Sequence, residues 1–289
     1  MGLPLRKAGG GNGRDMGEGG KIRPIAVMGM SGVGKTRVAS MLRRDAGWFH
    51  YSVDYRIGTR YLGEAIVDEF KREAMKTPIL KEMLLSDSIY ISSNITFENL
   101  APLSTWLGKP GDPKKGGIAF EEYLKRQRLH REAEISALLD TPLFALKAKS
   151  IYGYDHFICD TGGSICEVVD PDDPNDRVLK TLAETCTIVY IAGGDAHADA
   201  LKLRFAKYPK PMYYNEAFLT RIWADYLAAK GVAESAVDPD DFIRSGFAQL
   251  IDWRRPRYEA IAKNWGVTVA AKDIEKVRTP AEFLALVEK

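Results

Sequence analysis

Apolar positions along the chain fall into short runs and helical stripes that take turns. Ile22, Ile25, Ala26, Val27 and Met28 form a run that stops at Gly29, the pattern of a strand buried on both faces. Val38, Ala39, Met41 and Leu42 then recur at helical spacing, which predicts a helix over 36–44. Further apolar runs predict strands over 48–53, 156–159, 187–191 and 267–270. The run ending at 159 is closed by Asp160-Thr161-Gly162-Gly163 and the run ending at 191 by Gly193-Gly194. Helical patterns separate most of these strands. Strands alternating with helices build a parallel sheet covered on both faces, a three-layer α/β fold with five parallel strands.

One stretch breaks the alternation. Residues 64–153 read as mostly helical, with Phe120, Tyr123, Leu124, Ile135, Leu138 and Leu139 at helical spacing and a turn-rich loop over 108–117. This predicts a helical subdomain (64–153) inserted into a core made of 21–63 and 154–289. Residues 1–20 hold eight glycines and almost no β-branched or aromatic residues, so they are expected to form a flexible tail. No internal repeat is present.

The charge is nearly balanced, with 41 Lys plus Arg against 39 Asp plus Glu, a formal net charge of +2. That argues against a polybasic coat for nucleic acid or membrane surfaces. Three cysteines, Cys159, Cys166 and Cys186, are an odd number without close metal-ligand spacing, so they suggest neither a disulfide framework nor a zinc site. No apolar run is long enough to span a bilayer, and a reducing cytoplasm is the expected setting.

The chemistry concentrates at Gly29-Met-Ser31-Gly32-Val33-Gly34-Lys35-Thr36, a full match to G-x-x-x-x-G-K-[ST]. Glycines let backbone N–H groups turn inward and approach phosphate oxygens, while the following helix points its positive end at the same anion. In such a loop Lys35 would reach the β- and γ-phosphates and the Thr36 hydroxyl would ligate Mg²⁺. The motif follows a predicted strand and opens a predicted helix, the context it requires. No N/T-K-x-D guanine motif is present, which favours ATP over GTP as the nucleotide.

Four further segments, in order, give the chain a resemblance to the shikimate kinase family of P-loop small-molecule kinases. Ser52-Val-Asp54-Tyr-Arg-Ile57 looks like the family's D-x-D-x-x-I segment, and Thr161-Gly162-Gly163-Ser164 like its T-G-G-G turn. Arg204 with Lys210-Pro211-Met212 resembles the lid, and Arg254-Arg-Pro256-Arg-Tyr258-Glu259-Ala-Ile-Ala262 resembles the R-x-P-x-Y-E-x-x-A helix. The resemblance implies a kinase that moves the γ-phosphate of Mg-ATP to a hydroxyl of a small, acidic metabolite. It implies that Asp54, Gly162, Gly163 and Arg254 bind that acceptor and that Arg204 and Lys210 close over the phosphates.

The chain also departs from that pattern. Ser52 stands where the family has its first Asp, Lys210 where the lid has an arginine, and Ser164 where the turn has a third glycine. Asp160 is a candidate second magnesium ligand, with capping of the Gly-Gly turn as the equal alternative. Arg60 and Arg72 are candidates for a second substrate arginine. Arg126, Arg128, His130 and Arg131, interleaved with Glu121, Glu122, Glu132 and Glu134, read as a solvated helix face. A second functional reading is a regulatory ATPase whose insertion docks a protein partner.

Overall fold

The computed structural model describes residues 23–45 and 47–288, so the expected tail over 1–20, with Ile22, lies outside the described residues. Five strands form one all-parallel sheet: β1 (Ile25–Met28), β2 (Trp48–Ser52), β3 (His156–Asp160), β4 (Thr187–Ala192) and β5 (Gly266–Ala270), in the order β2-β3-β1-β4-β5. The central strand β1 is buried at all four positions, as its unbroken apolar run requires. Register decides where the chemistry can sit. Val27 of β1 and Ser52 of β2 both pair with Asp160 of β3, so the carboxyl ends of three strands finish level. The loops leaving that edge begin the site.

The helix α1 (Lys35–Asp45) follows β1 and presents buried Val38, Ala39 and Leu42 to the sheet. Strand β2 stops one residue short of the expected 53, because Ser52 accepts a hydrogen bond from Tyr55 N (3.3 Å) and caps the short α2 (Val53–Arg56). A π-helical turn over Ile57–Tyr61 carries the chain into α3 (Gly63–Ala74).

The inserted stretch continues with α4 (Pro78–Leu85), α5 (Ala101–Leu107), α6 (Phe120–Leu139) and α7 (Thr141–Ser150). It is less helical than expected, since 86–100 carries no helix. Asp87 takes a left-handed φ of 54° just past α4, and Thr96 and Asn99 exchange backbone hydrogen bonds in a tight turn. Within the 108–117 loop, Pro113–Lys115 forms a single 3₁₀ turn and Pro110 bridges Ile118.

The remaining helices are α8 (Ile165–Val168), α9 (Arg177–Thr185), α10 (Asp195–Lys207), α11 (Glu216–Lys230), α12 (Pro239–Trp265), α13 (Ala271–Ile274) and α14 (Pro280–Val287). Trp106 and Trp223 are core residues, and Trp223 stacks on Phe120 from the inserted stretch at 4.5 Å. Cys159 is fully buried. Among the described residues, no helix is long and apolar enough to cross a membrane.

Helix α6 corrects one expectation. Arg128, Arg131 and Glu132 face solvent, but Arg126, His130 and Glu134 are buried. Tyr123, Gln127, His130, Glu134 and Leu138 share a stripe that faces inward, so the helix carries polar groups into the interior instead of displaying them all. Arg126 is held there by Glu122, Glu69 and the Trp106 carbonyl.

Candidate active site

The loop between β1 and α1 has the backbone that its glycines permit. Gly29, Gly32 and Gly34 adopt φ of 141°, 82° and 101°. A Cβ at Gly29 would sit 2.6 Å from the Ile191 carbonyl oxygen, so a side chain there would push β1 away from β4. Val33 is buried beneath the loop, while Ser31 and Gly32 are exposed at its crest. Lys35 folds back inside it, donating from Nζ to the carbonyls of Gly29 (2.7 Å) and Met30 (3.0 Å). Burial lowers the Lys35 pKa, and the carboxylates of Asp160 and Asp54 oppose that shift.

Asp160 ends β3 directly beside this loop. Its Oδ2 accepts from Thr36 Oγ1 at 3.0 Å, and its Oδ1 accepts from Gly162 N at 3.2 Å. One Asp160 oxygen caps the Gly-Gly turn and the other lies beside the Thr36 hydroxyl. The pair fits a magnesium ion that enters on a nucleotide, since hydroxyl and carboxylate oxygens are the hard donors such an ion takes.

Asp54 stands at the start of α2, across from the turn. Gly162 takes φ 74°, and a Cβ on it would lie 2.5 Å from Asp54 Oδ1. Only glycine allows the carboxylate and the turn to come this close. Burial, and then the neighbouring Asp160 carboxylate, raise the Asp54 pKa to about 6.

Lys35, Thr36, Asp54, Asp160, Gly162, Gly163, Lys210 and Arg254 all line one cavity of about 1230 Å³. It runs from the glycine loop to His130, Ser164 and the Pro211–Tyr213 segment. Lys210 is exposed on that segment. Arg204, on α10, stands outside the cavity and flanks the loop crest, its Nη2 3.5 Å from where a Gly32 Cβ would be. His197, on the same helix, donates from Nε2 to the Ser31 carbonyl at 3.1 Å, and Asp195 pairs with Arg255.

Arg254 is buried on α12, and each of its three guanidinium nitrogens has a protein partner. Its Nε donates to Glu167 Oε1 (2.7 Å), Nη1 to the Gly163 carbonyl (2.7 Å) and Nη2 to the Tyr213 carbonyl (2.9 Å). Arg60 and Arg72 are exposed, Arg72 paired with Glu69, and neither lines the cavity.

Glu134 is the group that sequence reasoning missed. Fully buried, it accepts from Ser164 Oγ at 2.8 Å on each oxygen and lies 3.7 Å from His130 Nδ1. Burial, with Asp54 adding to it, pushes its pKa up to about 8. The His130 ring stacks on Tyr213 at 4.6 Å, and burial drives its pKa down to about 3. The stripe shared with Tyr123 and Gln127 was the available signal for Glu134, masked by the charged residues between.

No protein family matches the chain, and no curated protein does. Among solved structures it is similar to shikimate kinase from Bacteroides thetaiotaomicron, at 14% identity over 92% of this chain and 94% of that one, with a TM-score of 0.40. The α/β fold itself is shown by this chain's own five-stranded parallel sheet. A likeness this distant carries no argument about chemistry, which rests on the residues of this chain.

Proposed function

We propose that this chain is a phosphotransferase that moves the γ-phosphoryl group of ATP to a hydroxyl of a small acceptor molecule. One observation carries the reading: a phosphate-type glycine loop and a recessed carboxylate, Asp54, open into the same cavity. The loop amides and Lys35 would hold the β- and γ-phosphates. Magnesium bound with the nucleotide, held by Thr36 and Asp160, would supply charge neutralisation on the transferring group. Asp54 orients the acceptor hydroxyl and takes its proton as the oxygen attacks phosphorus and ADP leaves. Its raised pKa suits a group that must accept a proton near neutrality. Arg204 and Lys210 would approach the phosphates from the loop crest and the mouth, adding charge stabilisation and excluding water.

The test separates binding from chemistry. Lys35→Ala should abolish ATP binding by calorimetry. Asp54→Asn should keep ATP affinity while acceptor-dependent ADP release falls by about a hundred-fold or more, the range expected for a general base. An Asp54→Asn protein with undiminished turnover would refute the assignment.

A regulatory ATPase is the second reading, favoured by exposed Ile79, Leu85 and Tyr90 at 65%, 69% and 88% on and beside α4. It requires steady ATP hydrolysis that no acceptor alters.

A further inference from the structure

Resting on the phosphotransfer reading, we infer that the acceptor is an uncharged polyol, and that this pocket rejects the carboxylated metabolites which the resemblance implies. Among the described residues, Arg254 is the one arginine at the acceptor end of the cavity. Its charge is already matched by Glu167, which is fully buried and held in place by Asn215 N (3.0 Å) and Trp253 Nε1 (3.2 Å). Glu167 therefore cannot swing aside to release it. Two of the remaining guanidinium protons are spent on the Gly163 and Tyr213 carbonyls. Arg254 shapes the turn and the Pro211–Tyr213 segment before any substrate enters.

The other cations in the cavity wall are committed elsewhere. Lys35 is tied to the loop carbonyls, and Arg37 donates to the carbonyls of Ile274 and Val277. Lys210 sits exposed at the mouth, where its proposed duty is the phosphates. His130 is stacked and buried on α6, where burial keeps it uncharged. Against these stand the acids of the wall, Asp54, Glu98, Asp160 and Glu275, while Glu134 lies directly behind Ser164, where burial keeps it protonated near neutral pH. An incoming carboxylate would be desolvated beside them, where each buried cation among the described wall residues already has protein partners, a costly arrangement. Hydroxyl groups meet no such penalty. The acceptor end offers them the carboxylate oxygens of Asp54 and the Ser164 hydroxyl.

The experiment uses the full chain and matched pairs: glucose with glucuronate, and inositol with quinate. Melting temperature is read with a non-hydrolysable ATP analogue and magnesium present, and ADP release is read with ATP. Within a pair, the neutral member should act at a concentration at least about ten-fold lower than its acid, a 1.4 kcal/mol preference. Glu167→Gln, which frees the Arg254 charge, should close that gap. The wild-type pairs decide the matter even if this variant does not fold. A carboxylate that acts as well as its neutral partner, or a neutral set that is silent at millimolar concentration, overturns the inference. The analogue's own shift is read without any acceptor, and its absence would instead overturn the phosphotransfer reading.

Discussion

Glu134 shows how one side chain can carry a cost that the fold tolerates. Its folded pKa of about 8 lies above its ordinary value of 4.5, so the folded chain keeps a proton that the unfolded chain gives up. Stability from this group is complete below pH 4.5 and is lost as the pH rises through about 8. Glu134→Gln keeps the volume and cannot ionise. Its stability relative to wild type should therefore grow across that window, reaching on the order of a few kcal/mol, measurable by urea unfolding at pH 5 and pH 8.5. Equal stabilities at both pH values would contradict the placement of Glu134 in the interior. The glycine loop was readable in advance because its backbone at Gly29, Gly32 and Gly34 excludes other residues. Glu134 was not, because a carboxylate beside arginines and glutamates looks the same in sequence whether it faces water or Ser164.

Among the elements, α6 has the least expected role. It reaches from the inserted stretch to the segment that roofs the cavity. Gln127 donates from Nε2 to the Met212 carbonyl (3.1 Å) and accepts from Tyr214 N (2.9 Å), while the Tyr123 hydroxyl donates to the same Met212 carbonyl (2.8 Å). Gln127→Ala would leave the buried Tyr214 N–H unpaired and should cost about 1–3 kcal/mol of stability. The acceptor KM should rise several-fold while ATP affinity stays fixed; a matching fall in ATP affinity would speak against a role confined to the acceptor side. The strands were legible nearly to the residue, since each is a short apolar run stopped by a turn. The long-range pairing of α6 with Met212–Tyr214 was not, because nothing in local periodicity records which distant backbone a glutamine will meet.

For the molecule as a whole, the sheet order matters most. β1 is flanked by β3 and β4 on either side, so the glycine loop grows from the most enclosed strand of the domain. Asp54 follows β2, an edge strand, and faces the turn at Gly162 that leaves β3. The two ends of the cavity are thus anchored with unequal firmness, and they should fail one after the other. In mild denaturant the chain should go on gripping nucleotide after acceptor turnover has ceased, with β1 amides the slowest to exchange. On the proposed phosphotransfer reading, the grip on a triphosphate belongs to the central strand, and the choice of acceptor belongs to groups at the sheet's edge that can change without disturbing it.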